Sequence, residues 1–174
     1  AFVIADHLRF GRIAKEVYMD DYRYQALRTL TRARFDVIQN LTREKQRFAN
    51  YLFLKCSGIA QDKDIQNTSA TTIALMERFE TVDDLANADL EELTSFIDEK
   101  GRNFADPAAK AKAIQTAARD SYRLPITVNN SVNQAMAVSI ASMRALERQV
   151  KVLDKAIEHQ FEIIPNTLTS IPGI

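Results

Sequence analysis

Residues 143–157, MRALERQVKVLDKAI, decide the fold, because their apolar side chains recur at alternating intervals of three and four residues. That spacing places the apolar side chains on one side of a helix and is typical of a helix that pairs with another helix. The pattern extends in both directions and predicts one long helix over residues 127–163. Charged side chains are predicted to lie on its outer face: Glu147, Lys151, Asp154, Lys155 and Glu158.

A similar pattern near the start of the chain predicts a second long helix over residues 21–55, capped by Asp20 and Asp21. Its apolar seam has two polar interruptions and reads Leu27, Leu30, Arg34, Val37, Leu41, Glu44, Phe48 and Tyr51. Seams of this kind bring two helices together. We therefore predict an oligomerisation seam formed by Leu30, Val37, Leu41, Leu146, Val150, Leu153 and Ile157.

The segment between the long helices, residues 69–124, contains signals for short helices. Ser69, Thr81 and Asp89 are candidate N-caps, Pro107 suits a first helical turn, and Gly101 suits a left-handed C-cap. The sequence thus predicts an all-α fold, with two long antiparallel coiled-coil helices and an inserted bundle of short helices. Pairing of each long helix with its equivalent in a second chain stays open as an alternative.

Composition narrows the class of protein. The formal net charge is zero, from 23 basic and 23 acidic residues, but residues 20–56 carry eight basic and four acidic side chains. Residues 77–99 carry nine acidic side chains and one basic side chain, Arg78. The first segment could therefore attract phosphate groups, and the second would repel them. No apolar run approaches the 18 or so residues of a membrane span. The single cysteine, Cys56, is expected to be buried and fits a cytoplasmic location.

Few residues suggest chemistry. His7 and His159 lie on different predicted helices, and the neighbours Asp6 and His7 point about 100° apart on a helix, which is poor geometry for a shared metal. Acidic pairs at helix starts are better explained by capping than by acid–base catalysis. Two tyrosines, Tyr22 and Tyr24, are predicted to pack in a core, with base stacking as the alternative.

The arginines of the first long helix suggest a binding surface. Arg28, Arg32, Arg43 and Arg47 are separated by four, eleven and four residues and so fall on one side of the helix. One interpretation is a solvated face that pairs with acidic side chains. The other is phosphate contact, since arginine binds phosphate through two parallel hydrogen bonds.

Several segments, in order, resemble one protein family. They are AFVIADHLRFGRI (1–13), LRTLTRARFDVIQNLTREKQRFANYL (27–52), ERFETVDDLANADLEELTSFIDEKGR (77–102) and TLTSIPGI (167–174). The family comprises the DEDD-type transposases and recombinases of insertion sequence 110. The loop predicted over residues 57–68 matches least.

The resemblance implies a RuvC-like N-terminal domain, whose four acidic residues hold a divalent metal such as Mg²⁺, and a C-terminal domain with a nucleophilic serine. By this resemblance residues 1–20 are a remnant of the first domain, 21–164 a helical coiled-coil domain, and 165–174 the start of the second. Both ends are therefore expected to be cut ends. Asp6, Ser131 and Ser170 do not fall on the family's catalytic positions, so this chain is predicted to hold no catalytic residue, metal or cofactor.

The resemblance also implies partners. Members bind DNA and a structured guide RNA and assemble as homodimers or tetramers, in the cytoplasm of bacteria or archaea and without a membrane. The resulting prediction is a non-enzymatic domain for oligomerisation and nucleic-acid binding in DNA transposition. Its rivals are a purely structural coiled-coil scaffold that binds no nucleic acid, and an all-α metalloenzyme built on Asp6 and His7.

Overall fold

The computed structural model describes Arg9, residues 22–101 and residues 105–163. Seven helices follow one another in those ranges: α1 Tyr22–Lys55, α2 Ser57–Gln61, α3 Ala70–Arg78, α4 Val82–Ala86, α5 Leu90–Lys100, α6 Pro107–Arg119 and α7 Ile126–Ile163. The predicted all-α fold is confirmed, and each long helix begins within one residue of its predicted start. The expected caps Asp20 and Asp21 and the predicted end segments 1–20 and 165–174 lie outside the described residues, apart from Arg9.

The chain divides into two compact units. We call residues 36–150 the helical bundle, and residues 1–35 with 151–174 the terminal unit. Within the helical bundle α1 and α7 run antiparallel. Ser139 Oγ lies 3.5 Å from Glu44 O, whereas Lys55, eleven residues further along α1, lines a cavity with Asn129. The predicted antiparallel arrangement is confirmed within one chain, and coiled-coil packing stays a prediction.

The core of the helical bundle is built from one side of each helix. Phe48 and Leu52 on α1 are fully buried, and the short helices and α7 complete the cluster. On α7 the buried seam residues are Val132, Met136, Ser139 and Met143. Leu146 and Val150 continue the same seam but are only half-buried. The predicted periodicity is therefore correct, and the seam is fully covered only in its first part.

Helix α6 is the packing centre of the short helices, because it contacts α2, α4 and α5. Small side chains permit this close packing: Ala111 and Ala118 are completely buried, and Ala117 is nearly so. Gly58 on α2 lies so close to α6 that a Cβ there would overlap the carbonyl oxygen of Ala117. The alanines and Gly58 thus allow close packing of α2 on α6.

The predicted helix starts are confirmed by side-chain caps. Ser69 Oγ accepts a hydrogen bond from Thr72 N at 3.1 Å. Thr81 and Asp84 form a reciprocal capping box, with bonds of 3.1 and 2.9 Å. The carboxylates of Asp89 and Asp106 accept from the first turns of α5 and α6. Each cap satisfies backbone N–H groups that have no partner within the helix.

Three local predictions were wrong. The segment predicted as a loop begins with helix α2, because Gly58 is required for close packing and does not break the helix. Gly101 ends α5 with extended backbone (φ −89°, ψ 161°), so it is not a left-handed cap. Asp154 does not lie on an outer, solvated face: it is half-buried and forms an ion pair with Arg34.

Apart from Arg9, the described residues of the terminal unit are the ends of the two long helices. The Arg34–Asp154 ion pair joins α1 to α7 there, so the charged interruption of the α1 seam is matched by a charge on the facing helix. None of residues 22–35 or 151–163 is fully buried. Two paired helices cover each other on one side only, which accounts for this partial burial.

Candidate nucleic-acid interface

Helix α1 is strongly basic. Over Tyr22–Lys55 it carries eight basic side chains and two acidic ones. Lys55 is buried and Arg34 is half-buried in its ion pair, so these two contribute little to the surface charge. The four arginines singled out in the sequence, Arg28, Arg32, Arg43 and Arg47, are all exposed.

Arg43 and Arg47 lie in the helical bundle. Arg43 Nη1 donates to Asn40 Oδ1 at 3.2 Å, and Arg47 Nη1 donates to Glu44 Oε2 at 2.9 Å. Both bonds are local contacts along one exposed helix surface. The partner of Arg43 is a neutral amide, and a surface ion pair such as Arg47–Glu44 contributes about 0–1 kcal/mol, so both guanidinium groups remain available to a stronger anion.

Arg28 and Arg32 lie in the terminal unit, four residues apart on α1, and both are exposed. Residues four apart have Cβ atoms roughly 6 Å apart, so the two side chains start from one side of the helix. The described structure therefore presents the predicted stripe as two exposed pairs, one in each unit. Phosphate binding by either pair stays a prediction.

All seven residues of the predicted oligomerisation seam are half-buried: Leu30, Val37, Leu41, Leu146, Val150, Leu153 and Ile157. Leu41 packs against the core of the helical bundle, so at least this member serves the fold of the single chain. The remaining exposed fraction leaves apolar surface that a further helix could cover. Their role in oligomerisation stays a prediction.

Sequence reasoning missed the role of Lys55. It counted this residue among the eight basic side chains of residues 20–56, but only 3% of it is exposed. Its Nζ donates to Met76 O at 3.0 Å and to Phe79 O at 2.7 Å, the carbonyls that end α3. Burial lowers the pKa of Lys55 to about 8, against the smaller opposing effects of Cys56, Glu80 and Asp84. Nothing in the sequence around Lys55 signals a partner more than twenty residues away.

The neighbouring Cys56 is fully buried, as predicted. Its Sγ lies 3.2 Å from Ser121 Oγ, which also donates to Ala117 O and accepts from Gly58 N. Burial raises the pKa of the Cys56 thiol, and the hydrogen bond to Ser121 opposes that effect. The thiol therefore has the environment of a structural cysteine, since a reactive one has a lowered pKa and solvent access.

The tyrosines at the start of α1 behave differently from the prediction. Tyr22 and Tyr24 are both exposed, so their predicted packing in a core is wrong. The Arg23 guanidinium lies 5.9 Å from the centre of the Tyr22 ring. Exposed aromatic rings on a basic helix are available to a partner molecule.

The acidic segment is largely used in local structure. Glu77 accepts two hydrogen bonds from Arg144, at 2.7 and 2.8 Å, and their pairing raises the pKa of Arg144. Asp83 pairs with Arg123 at 2.8 Å, and Asp84 belongs to the capping box. These contacts support the interpretation of the acidic pairs as caps and ion-pair partners.

The metal hypothesis on Asp6 and His7 lies outside the described residues. His159 is exposed, with Nδ1 4.0 Å from Glu162 Oε2. Within the described part of the chain, no three His, Cys, Asp or Glu side chains come together in a group that could hold a metal. The described helices also include none that is both long enough and apolar enough to cross a membrane. The predicted lack of a catalytic residue or cofactor stays a prediction.

Comparison with known proteins gives one match. Residues 1–55 match the family model DEDD_Tnp_IS110, which is described as a transposase. The matched segment ends at Lys55, the last residue of α1, and so includes all four exposed arginines. No curated protein and no solved structure matches the chain.

Proposed function

We propose, from the match of residues 1–55 to the transposase family of insertion sequence 110, that this chain is the central helical part of a DNA transposase. In this proposal it contributes nucleic-acid binding and self-association to DNA transposition. The chemistry belongs to the RuvC-like and serine-bearing domains of the parent protein, with a divalent metal such as Mg²⁺ in the first. DNA, a structured guide RNA and further copies of the chain are its partners.

The exposed arginines of α1 are the observation that supports nucleic-acid binding. This helix lies within the segment that matches the family model. Phosphates supply most of the affinity of proteins for nucleic acid, and arginine engages them in bidentate geometry. Glu44 is mostly covered and pairs with Arg47, and Asp36 is the other acidic residue of the helix. The helix surface therefore favours a polyanion.

Charge-reversal substitutions test the proposed nucleic-acid binding. Changing Arg28 and Arg32, or Arg43 and Arg47, to Glu is expected to weaken binding of RNA or DNA at least tenfold, because each pair loses two phosphate contacts and gains two repulsive charges. Changing all four is expected to abolish salt-dependent binding. Fluorescence anisotropy at several salt concentrations measures both effects.

A control variant and the unaltered chain show whether the loss of binding is specific to the four arginines. Changing the exposed pair Lys112 and Arg119 on α6 to Glu alters the net charge equally and is expected to leave the affinity within about threefold. Unchanged binding by the four-arginine variant would refute the proposed surface. If the unaltered chain binds no nucleic acid even at low salt, the structural scaffold is the correct alternative, and the local Arg43–Asn40 and Arg47–Glu44 contacts are the arginines' main role.

The partial burial of the terminal unit is the observation that supports self-association. Its described seam residues, including Leu153 and Ile157, are half-buried, and none of its described residues is fully buried. Packing against a second copy would remove more of this apolar surface from water, at roughly 25 cal/mol per Å². A seam with alternating three and four spacing is suited to that packing.

Substitution on the seam tests the assembly. Ile157→Glu is expected to weaken self-association at least tenfold, since it places a charge in an apolar contact. Val152→Glu is the matched control: Val152 lies on the same helix, is 67% exposed, and is outside the seam. Light scattering at tens of micromolar gives the masses. A monomeric mass for the unaltered chain would contradict the proposed self-association. An equal loss of self-association in Ile157→Glu and Val152→Glu would contradict the role of the seam.

A further inference from the structure

Two aromatic rings lie in line with two arginines on the outer side of α1. Tyr24, Arg28, Arg32 and Phe35 follow one another at intervals of four, four and three residues, which places them along one side of a helix. Tyr24 is 44% exposed, Phe35 is 60% exposed, and both arginines are exposed. We call these four residues the aromatic–arginine stripe; all of them belong to the terminal unit.

The stripe lies away from the contact between the two long helices. Arg34 marks that contact, because it pairs with Asp154 on α7. Arg32 precedes Arg34 by two residues, or about 200° around the helix, so it projects from the other side. Arg28 has the same relation to the seam residue Leu30. The fold of the terminal unit therefore leaves the rings and guanidinium groups facing outward together.

We propose that the aromatic–arginine stripe binds an unpaired polynucleotide strand, with the rings of Tyr24 and Phe35 stacked on bases and Arg28 and Arg32 on phosphates. This inference rests on the proposed function and narrows its ligand to single-stranded nucleic acid. Phe35 has no polar group and cannot contact a phosphate, so its useful contact is with the face of a base. In a duplex those faces are stacked on one another, whereas an unpaired strand exposes them.

The dimensions of the stripe agree with this ligand. Eleven residues of helix separate Tyr24 from Phe35, a length of about 16 Å. That length is enough to contact several nucleotides of an unpaired strand. The combination of stacking platforms with positive charges is how sequence-tolerant single-strand binding is achieved.

Removal of the Phe35 ring tests the inference. Phe35→Leu keeps an apolar side chain but removes the stacking surface, so affinity for oligo(dT) or oligo(U) of about ten nucleotides is expected to fall roughly 5- to 100-fold. Affinity for a duplex of the same length is expected to stay within about twofold. Tyr24→Phe keeps its ring and should retain binding. Tyr122→Leu alters a ring that is 75% exposed in the helical bundle and serves as the matched control.

The possible outcomes separate the two proposals. A selective loss of single-strand affinity in Phe35→Leu, in either the RNA or the DNA arm, supports the stripe. If Phe35→Leu binds strands normally while glutamate at Arg28 and Arg32 removes binding, the stacking proposal is overturned and the arginine surface stands. If Phe35→Leu instead weakens only self-association, the ring belongs to a contact between copies, and the stripe is overturned. Absence of any binding by the unaltered chain overturns both proposals.

Discussion

Gly58→Ala is expected to destabilise the helical bundle by about 3 kcal/mol, a loss that equilibrium chemical denaturation followed by circular dichroism will measure. The added Cβ would overlap the carbonyl oxygen of Ala117, lie 2.8 Å from its carbonyl carbon and lie 3.0 Å from Ser121 Oγ. Two of these three atoms are backbone, so a side-chain rotation cannot relieve the overlap. Helix α2 must move away from α6, which disturbs the hydrogen bond from Gly58 N to Ser121 Oγ.

Whether Gly58→Ala stabilises or destabilises the chain tests the close packing of α2 on α6. In an exposed helix, Gly→Ala stabilises by up to about 1 kcal/mol, because alanine restricts the unfolded chain and favours helix. The overlap with Ala117 is expected to outweigh that gain. Gln61→Ala in the same helix is the control, since Gln61 is exposed and should change stability by less than about 0.5 kcal/mol. A Gly58→Ala protein as stable as the unaltered chain would contradict the close packing of α2 on α6.

Lys55→Ala is expected to cost about 3 kcal/mol. The substitution removes the donor for Met76 O and Phe79 O and leaves a cavity where the long side chain lay. Lys55→Met fills most of that volume and removes only the donor, so we expect a smaller loss of about 1 kcal/mol. Denaturation midpoints at neutral pH compare the three proteins. Equal stability of Lys55→Ala and the unaltered chain would contradict the role of Lys55 as the cap of α3.

The same residue makes stability depend on pH. Burial lowers the pKa of Lys55 to about 8 from its ordinary value of 10.5, so between these values the unfolded chain binds more protons than the folded one. Stability contributed by Lys55 therefore rises with pH across that interval, by roughly 1 to 3 kcal/mol. Cys56 acts oppositely: its raised pKa gives stability that is present below pH 9.0 and is lost as pH rises further.

Comparison with Lys55→Met separates the two groups, because both proteins retain Cys56. The stability of the unaltered chain relative to Lys55→Met is expected to increase from pH 8 to about pH 10.5. Denaturation at half-unit pH steps gives this difference. A difference that is constant with pH would show that Lys55 titrates normally in the folded chain.

The two proposals place different functions on one helix. Two arginine pairs, at Arg28 and at Arg43, are proposed to contact phosphates, and the rings beside the first pair are proposed to stack on the bases of an unpaired strand. The seam on the other side of α1 is proposed to hold copies together. A helix can support both functions, because residues about 200° apart face opposite directions and do not compete.

The repeat of apolar residues and the caps were readable without the structure. The three–four spacing around Leu146 and Leu153 predicted α7, and Ser69, Thr81 and Asp89 marked where short helices begin. These features depend on residues within about one or two helical turns of each other. Backbone geometry and local hydrogen bonds therefore suffice to decide them.

The chemical environment of individual side chains was decided by tertiary structure. Lys55 and Arg47 look equivalent in the sequence, but Lys55 is buried against Phe79 and Arg47 is exposed. The same applies to Phe35, which is left exposed, and to Gly58, which α6 requires to be small. Spacing along the chain determined which side of each helix is apolar. Contacts between segments distant in sequence determined which polar groups are removed from water and which remain available to a partner, because burial depends on what packs against a residue.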